Sequence, residues 1–114
     1  MRVLDGEQVL VRVFIGELDK HGHQPLATAL LERLRRDGFA GATVFRAIAG
    51  YGARSLLHSA HILRLSEDLP IVVEIVDSAE RLPQLETILD ELMEDGMVTV
   101  EKVRVLRYAP HAKT

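Results

Sequence analysis

Segments with the hydrophobic repeat of a β-strand alternate along the chain with segments that have the hydrophobic repeat of an α-helix. The order of these segments limits the folds that the chain can adopt. Residues 8–15 carry an apolar side chain at every second position, which predicts a β-strand. Residues 26–34 repeat leucine at helical spacing, between Pro25, which suits a first helical turn, and Gly38, which suits a helix end. The chain is therefore predicted to begin with a strand, a polar loop over residues 17–24 and a helix.

The rest of the chain shows the same two kinds of segment, with three predicted strands and one predicted helix. Residues 42–48 and 70–76 alternate as strands, while residues 49–68 between them follow neither period. A loop of about twenty residues in so small a domain is unusual and is commonly functional. Residues 82–92 carry a second helical stripe, for which Gly96 is the predicted stop.

The start of the second helix admits two interpretations. Asp77 followed by Glu80 fits a capping box, in which Ser or Thr is the usual first residue. Pro83 then lies past the first turn, so either it kinks the helix or the helix begins later than Ser78.

The valines near the C-terminus change phase. Val98 and Val100 alternate in one register, and Val103 and Val105 alternate in the other. Because a shift of one residue moves every side chain to the opposite face, we predict a bulge or break at residues 101–102. The last strand is then predicted over residues 102–108, followed by a tail at residues 109–114.

The resulting order β-α-β-β-α-β predicts an α+β, ferredoxin-like fold in one domain over residues 1–114. Its antiparallel four-stranded sheet carries both helices on one face. The opposite face then presents four apolar side chains, Leu10, Phe14, Val72 and Val76. A monomer rarely leaves such a patch in water, so we expect self-association through this face unless the long loop folds over it.

Composition removes several classes of function. The 114 residues suffice for one core, and the absence of cysteine excludes disulfides, zinc–thiolate sites, iron–sulfur clusters and cysteine nucleophiles. A net charge of −3 provides no general attraction for nucleic acid. No secretion signal and no stretch long enough to span a membrane is evident, so the cytoplasm is the expected location.

The long loop and its flanks carry a family resemblance. The run from Gly50-Tyr51-Gly52 through Ser66-Glu67-Asp68-Leu69-Pro70 is similar to a bacterial family catalogued as domain of unknown function 190 and regarded as PII-like. The resemblance covers residues 11–108. More loosely, the chain resembles the PII nitrogen-signalling proteins in its element order, its Gly-aromatic-Gly strand end and its long loop.

This resemblance implies a homotrimer of ferredoxin-like subunits. PII proteins and their relatives bind adenine nucleotides or other small effectors in the clefts between subunits, and they use the long loop to dock on transporters or enzymes. By analogy, Gly50, Tyr51 and Gly52 lie along a cleft, and residues 53–64 form the arm that responds to the effector. A Gly-aromatic-Gly turn also lets the backbone approach an anion closely.

Cationic side chains around the loop are the candidate ligands of an anionic effector, because guanidinium groups suit phosphate and carboxylate groups. They are Arg46, Arg54, His58, His61 and Arg64. The alternative is a solvated loop with scattered charges. Arg46 carries more weight than the others because it lies within a predicted strand at the root of the loop.

The chain departs from the PII pattern at two places. PII proteins carry Arg-Gln after the Gly-aromatic-Gly element, whereas Ala53-Arg54-Ser55 follows here. PII proteins also wrap the phosphates with a loop rich in glycine and lysine, whereas residues 95–102 hold one glycine and two acidic residues. Nucleotide binding of the PII type is therefore an open question for this chain.

The five histidines raise a metal-binding alternative. His21 with His23, and His58 with His61, each supply a pair of ligand types suited to zinc or copper. A trimeric metal-binding protein similar to CutA shares the fold type, and a ligand-free structural adaptor is a third hypothesis. No carboxylate pair or serine context indicates catalysis, so we predict a non-enzymatic protein without a certain cofactor.

Overall fold

The computed structural model describes residues 3–52 and 68–109. Within these residues the chain forms six strands and two α-helices. They are β1 (Gly6–Gly16), β2 (Lys20–His21), β3 (Gln24–Pro25), α1 (Leu26–Arg36), β4 (Ala42–Arg46), β5 (Pro70–Asp77), α2 (Leu82–Leu92) and β6 (Met97–Val105). None of the helices in the described ranges combines the length and apolar character of a membrane span.

The main sheet has the strand order β4-β5-β1-β6 with every neighbouring pair antiparallel, which confirms the predicted ferredoxin-like α+β fold. The two central strands place Val11 opposite Ile75 and Val13 opposite Val73, and all four side chains are at most 1% exposed. Leucines of α1 and α2 complete this core, as the helical stripes predicted.

The first helix begins and ends where the sequence indicated. Pro25 is its N-cap, and Gly38 follows with φ +80°, a conformation that favours glycine. The guanidinium of Arg81 closes this end, because it donates to the carbonyl oxygens of Asp37 at 2.7 Å and Gly38 at 2.8 Å. The same group lies 4.0 Å from the ring centroid of Phe39, so one cation supports the helix end by hydrogen bonding and by cation–π contact.

The predicted bulge in the last strand is wrong. β6 pairs with β1 without interruption, from Met97 opposite Phe14 to Val105 opposite Gly6, and it ends at Val105 rather than at residue 108. The valines do move from one face to the other. β6 can carry valine on both faces without a bulge because it is an edge strand. Its residues are exposed or half-buried on both faces, so burial does not require the apolar residues to lie on one face only.

The entry to α2 differs from the capping-box hypothesis. Asp77 is buried, and its carboxylate accepts the amide hydrogens of Ala40 at 2.8 Å and Ser78 at 2.7 Å. It therefore ties the end of β5 to the segment before β4, while a short 3-10 turn (Ala79–Arg81) leads into the helix. α2 begins at Leu82 with Pro83 in its first turn, so the later of the two predicted starts is confirmed.

Three further boundaries are corrected. β4 ends at Arg46 rather than at residue 48. The predicted loop over residues 17–24 contains the small β2–β3 hairpin, which turns at Gly22 with φ +63°. α2 ends at Leu92, before Gly96; Gly96 instead lets the chain enter β6, because a Cβ there would lie 2.8 Å from the carbonyl oxygen of Phe14.

The sheet face away from the helices carries apolar and charged bands. Leu10, Phe14, Val72 and Val76 lie half-buried on this face, as predicted. Between them Arg12 donates from Nε to Glu74 Oε2 at 2.9 Å and from Nη1 to Glu101. We call this surface the open face.

Candidate functional site

A cleft of about 230 Å³ lies at the end of the sheet where β1 stops and β6 starts. It collects residues from four separate segments of the chain. They are Phe14, Ile15, Gly16 and Asp19; Tyr51 and Gly52; Asp68 and Pro70; and Asp95, Gly96 and Met97. The cleft therefore includes Tyr51 and Gly52 of the predicted Gly-aromatic-Gly element and lies at the root of the long loop.

Glycines allow these segments to meet closely. The carboxylate of Asp68 occupies the space of a side chain at Gly16, where a Cβ would lie 2.5 Å from Oδ1. Gly50 has φ +146°, and a Cβ on it would lie 3.2 Å from the ring of Pro70. A larger residue at either position would separate the two sides of the loop root.

The exit of the loop is tied to the turn after β1. Glu17 N donates to Leu69 O at 2.9 Å, and Leu18 N donates to Asp68 Oδ1 at 3.1 Å. Asp19 Oδ2 accepts the amide hydrogen of Gly16 at 2.9 Å and so holds the turn in shape. Two carboxylates that line the cleft thus also organise the backbone around it.

The entrance of the loop is tied to the same turn by Arg46. Its guanidinium meets the Glu17 carboxylate in a two-point contact, from Nε at 2.6 Å and from Nη2 at 3.2 Å. The Arg46 side chain is 55% exposed and does not line the cleft. The sequence placed Arg46 correctly at the loop root, but in this structure its fork is occupied by Glu17 rather than directed at the cleft.

The chemistry of the cleft wall is mixed. Phe14, Tyr51 and Met97 offer apolar and aromatic surface, and the Tyr51 side chain is 67% exposed and accessible to a ligand. Asp19, Asp68 and Asp95 add carboxylates, which accept hydrogen bonds from hydroxyl and amino groups. Such a wall suits a flat ring that carries donor groups, and it attracts a phosphate group less than the predicted cationic lining would.

Only some of the predicted ligand residues lie at the cleft. Tyr51 and Gly52 line the cleft and Gly50 packs beside it, whereas Arg46 pairs with Glu17. Arg54, His58, His61 and Arg64 lie outside the described residues. His21 and His23 are exposed on the β2–β3 hairpin, and residues 3–52 and 68–109 hold no group of three or more His, Cys, Asp or Glu side chains arranged for a metal ion.

Sequence reasoning missed Phe14, Gly16, Asp19 and Met97 as cleft residues. They come from the end of β1 with the turn that follows it and from the start of β6, which are about 80 residues apart in the chain and adjacent in the sheet. One signal was available, since Gly16 lies at the end of the first predicted strand and a glycine there can mark a place of close backbone approach. Asp68, named in the sequence only as part of the run that carries the family resemblance, also lines the cleft.

Known proteins with the same fold include signalling proteins. The chain superposes on a protein of Thermus thermophilus described as PII-like signaling, with a TM-score of 0.59, 23% identity and coverage of 93% of this chain and 94% of that one. It superposes on CPII of Thiomonas intermedia K12, solved with ADP and bicarbonate, with a TM-score of 0.58, 20% identity and 91% of both chains covered. A second CPII structure, with ADP, AMP and acetate, gives a TM-score of 0.60 at 17% identity over 92% of both chains.

Sequence relatives extend across bacteria and archaea. A UPF0166 protein of Aquifex aeolicus is 39% identical over 108 residues, which span 93% of this chain and 98% of the relative. A UPF0166 protein of Methanocaldococcus jannaschii is 28% identical over 99 residues, 86% of this chain and 91% of the relative. Residues 8–105 match the family described as DUF190, Uncharacterized ACR. This match spans nearly all of the main sheet and both helices, so the chain belongs to the DUF190 family.

Proposed function

We propose that this protein is a non-enzymatic, PII-like regulatory protein of the cytoplasm. It binds a small anionic effector, with an adenine nucleotide as the leading candidate, and it signals the bound state to a partner protein through residues 49–68. The observation that carries this proposal is the position of the cleft: its wall contains Tyr51 and Gly52 and both of its sides continue into the loop. A ligand in the cleft contacts the segment that would transmit the signal.

The cleft wall favours the nucleoside part of such a ligand. An adenine ring stacks on the exposed face of Tyr51, and the carboxylates of Asp19 and Asp68 accept from amino or ribose hydroxyl groups. Structures of CPII, which has the same fold, were solved with ADP and AMP, and these ligands are the natural first probes. Because the fold alone does not define a ligand, the assignment of a nucleotide to this chain depends on the residues of its own cleft.

The phosphate groups require cations. Arg46 supplies one by exchanging Glu17 for the ligand, since the Arg46–Glu17 pair is exposed enough to open at small cost. Arg54, His58, His61 and Arg64 are the other proposed contacts on this chain. An exchange at Arg46 releases the entrance of the loop from the turn after β1, so ligand binding selects a different loop arrangement.

Assembly into a homotrimer is part of the proposal. The open face leaves Phe14 and Val72 half-buried, and Phe45 beside them on β4 is 51% exposed. Contact between open faces removes these side chains from water and places the cleft near a neighbouring subunit. We expect sedimentation to give three times the 12.7 kDa of one chain; a particle of one chain contradicts this part.

Thermal unfolding with added ligands tests the effector. At about one hundred times its dissociation constant, a ligand of the folded state adds about 2.7 kcal/mol, enough to raise the midpoint by several degrees. We expect AMP or ADP to do so and inorganic phosphate alone to do less. If neither nucleotides nor common anionic metabolites move the midpoint, the proposed function fails.

Paired variants locate the binding. Tyr51→Ala is expected to weaken nucleotide binding, because it removes the aromatic surface of the cleft. The matched control is Val100→Ala, which removes an exposed apolar side chain of β6 that lies on the helix side of the sheet and does not line the cleft. Equal loss in both variants contradicts the assignment of the cleft. Arg46→Gln is expected to lower affinity for AMP and to leave adenosine binding unchanged, since only the phosphate needs the cation.

A further inference from the structure

A second cavity of about 350 Å³ lies at the opposite end of the open face from the cleft. Its walls come from the segment before β4, from β4 and β5, and from the residues that follow β6. They are Leu4, Ala40, Gly41, Ala42, Thr43, Glu74, Val76, Val105, Arg107 and Tyr108. The volume falls within the lower part of the range of small-molecule sites, about 300 to 1,000 Å³.

Residues 106–108 follow β6, and we call them the strap; Arg107 and Tyr108 of the strap line this cavity. β6 ends at Val105 on one edge of the sheet, and the Tyr108 hydroxyl donates to Ala40 O at 2.8 Å beside β4 on the other edge. The strap therefore crosses the end of the sheet and is fixed at its far side. The sequence predicted these residues as strand, and their departure from the sheet is what forms one side of the cavity.

Opposite charges line the same cavity. Arg107 is exposed and makes no ion pair or side-chain hydrogen bond with any residue in the described part of the chain. Glu74 uses Oε2 for Arg12 at 2.9 Å, and its second oxygen, Oε1, has no partner among the described residues. The Thr43 hydroxyl is exposed on the same wall and also lacks a side-chain hydrogen bond there. The cavity thus offers a cation, a carboxylate oxygen and a hydroxyl.

The remaining wall is apolar. Leu4 is 5% exposed, and it faces the cavity together with the β-branched side chains of Val76 and Val105. Ala40, Gly41 and Ala42 add no bulk and leave room for a side chain of moderate size. An apolar wall next to two opposite charges fits a zwitterion with a hydrocarbon substituent.

We propose that this cavity binds an α-amino acid with a small apolar side chain. The carboxylate pairs with the Arg107 guanidinium and accepts from the Thr43 hydroxyl, the ammonium group pairs with Glu74 Oε1, and the side chain packs on Val76, Val105 and Leu4. The site is separate from the cleft at the loop root, and its occupancy does not depend on the effector proposed there.

Heteronuclear NMR titration of the full chain with L-valine and L-leucine tests the proposal. We expect shifts in the amide signals of residues 40–43, 74–76 and 105–108. Two analogues that lack one charge, 3-methylbutanoate and isobutylamine, are expected to bind about tenfold or more weakly than valine, because each leaves one charged group of the site without its partner.

Matched variants show which cation of this region holds the ligand. Arg107→Gln is expected to weaken valine binding about tenfold or more, whereas Arg104→Gln, which removes an exposed cation of β6 that does not line the cavity, is expected to leave it unchanged. Tyr108→Phe removes the hydrogen bond to Ala40 and is expected to weaken binding less than Arg107→Gln.

Three results would overturn the proposal. One is the absence of any shift at residues 105–108 with millimolar valine or leucine. Another is equal binding of valine and its singly charged analogues. The third is a loss of assembly in Arg107→Gln, as judged by sedimentation, which would show that the partner of this cation is a second copy of the chain. Nucleotide binding at the cleft, measured on the same variants, is expected to be unchanged as long as assembly is retained.

Discussion

The two faces of the central sheet are built from alternate residues of the same strands and have opposite properties. On the helix face Val13 and Val73 are paired and fully buried, whereas one residue further along, Phe14 and Val72 are paired on the open face and half-buried. The helix face is apolar throughout its centre. The open face has the Arg12 ion pairs at its centre and a cavity at each end.

This difference separates stability from recognition. The helix face is closed by α1 and α2, so its packing fixes the fold. The open face keeps polar groups and unfilled volume, which are the properties of a surface that meets a ligand or a second chain. Substitutions on the helix face should therefore lower the free energy of unfolding. Substitutions on the open face should instead change assembly or ligand binding.

The largest contrast is expected between two valines that are neighbours in β5. Val73→Ala removes fully buried methyl groups and is expected to lower the free energy of unfolding by about 2–3 kcal/mol. Val72→Ala on the open face is the matched control and is expected to cost less than half of that in dilute protein. Urea denaturation measures both. Equal costs at low protein concentration would contradict the division between the faces.

A smaller loss is expected where β6 joins the sheet. Gly96 has φ +128°, and a Cβ there would lie 2.8 Å from the backbone oxygen of Phe14, so Gly96→Ala is expected to destabilise the fold by about 1–3 kcal/mol. Gly41→Ala is the control, because Gly41 has no atom near its Cβ position and no left-handed φ. Thermal unfolding compares them. A neutral Gly96→Ala would indicate that β6 enters the sheet differently.

The central ion pair of the open face is expected to matter little in a single chain. The Arg12 and Glu74 side chains are 37% and 31% exposed, so Arg12→Gln is expected to cost at most about 1 kcal/mol in dilute protein. If a second copy covers the open face, the cost rises with protein concentration, since Glu74 is then buried without its cation. Unfolding at two concentrations, with Lys102→Gln as the exposed control, distinguishes these cases.

The smallest effect is expected on the outer surface of the helices and depends on pH. Arg33 donates to Asp37 at 2.9 Å and to Glu91 at 2.7 Å, and these hydrogen bonds lower the pKa of both carboxyl groups. A carboxyl group whose pKa is lowered in the folded state stabilises the fold at pH values above its pKa in the unfolded chain, which is about 4. This stabilisation is lost as the pH falls through the pKa of the folded state.

The variant Arg33→Gln is therefore expected to show a smaller fall in unfolding midpoint between about pH 7 and pH 3 than the wild type. Arg35→Gln removes an exposed cation of the same helix and is the matched control. Midpoints measured by circular dichroism across this pH range check the prediction. An unchanged pH profile in Arg33→Gln would show that the pairs do not persist in solution.

Much of the fold could be predicted because each element carries its own hydrophobic period. The α1 stripe between Pro25 and Gly38 and the buried alternation of β5 require no knowledge of the rest of the chain. β6 could not be placed in this way. An edge strand is in contact with solvent on both faces, so its valines follow no single phase, and the predicted bulge was an error of that kind.

The site was predictable only in part for a related reason. Gly50, Tyr51 and Gly52 form a local motif, and a family resemblance marks it. Phe14, Asp19 and Met97 join them through strand pairing across the sheet, and the Arg46–Glu17 contact spans 29 residues. A local sequence pattern cannot predict contacts between residues so far apart in the chain.

By itself, the sequence determined the order of strands and helices, the composition of the helix face and the family to which the chain belongs. Those properties follow from short-range periodicity and from runs of adjacent residues. Only the tertiary structure decided that Arg46 faces Glu17, that carboxylates line the cleft and that the strap borders a second cavity. Each of these depends on which chain segments the sheet brings together, and antiparallel pairing sets those neighbours through backbone hydrogen bonds that nearly every residue type can make.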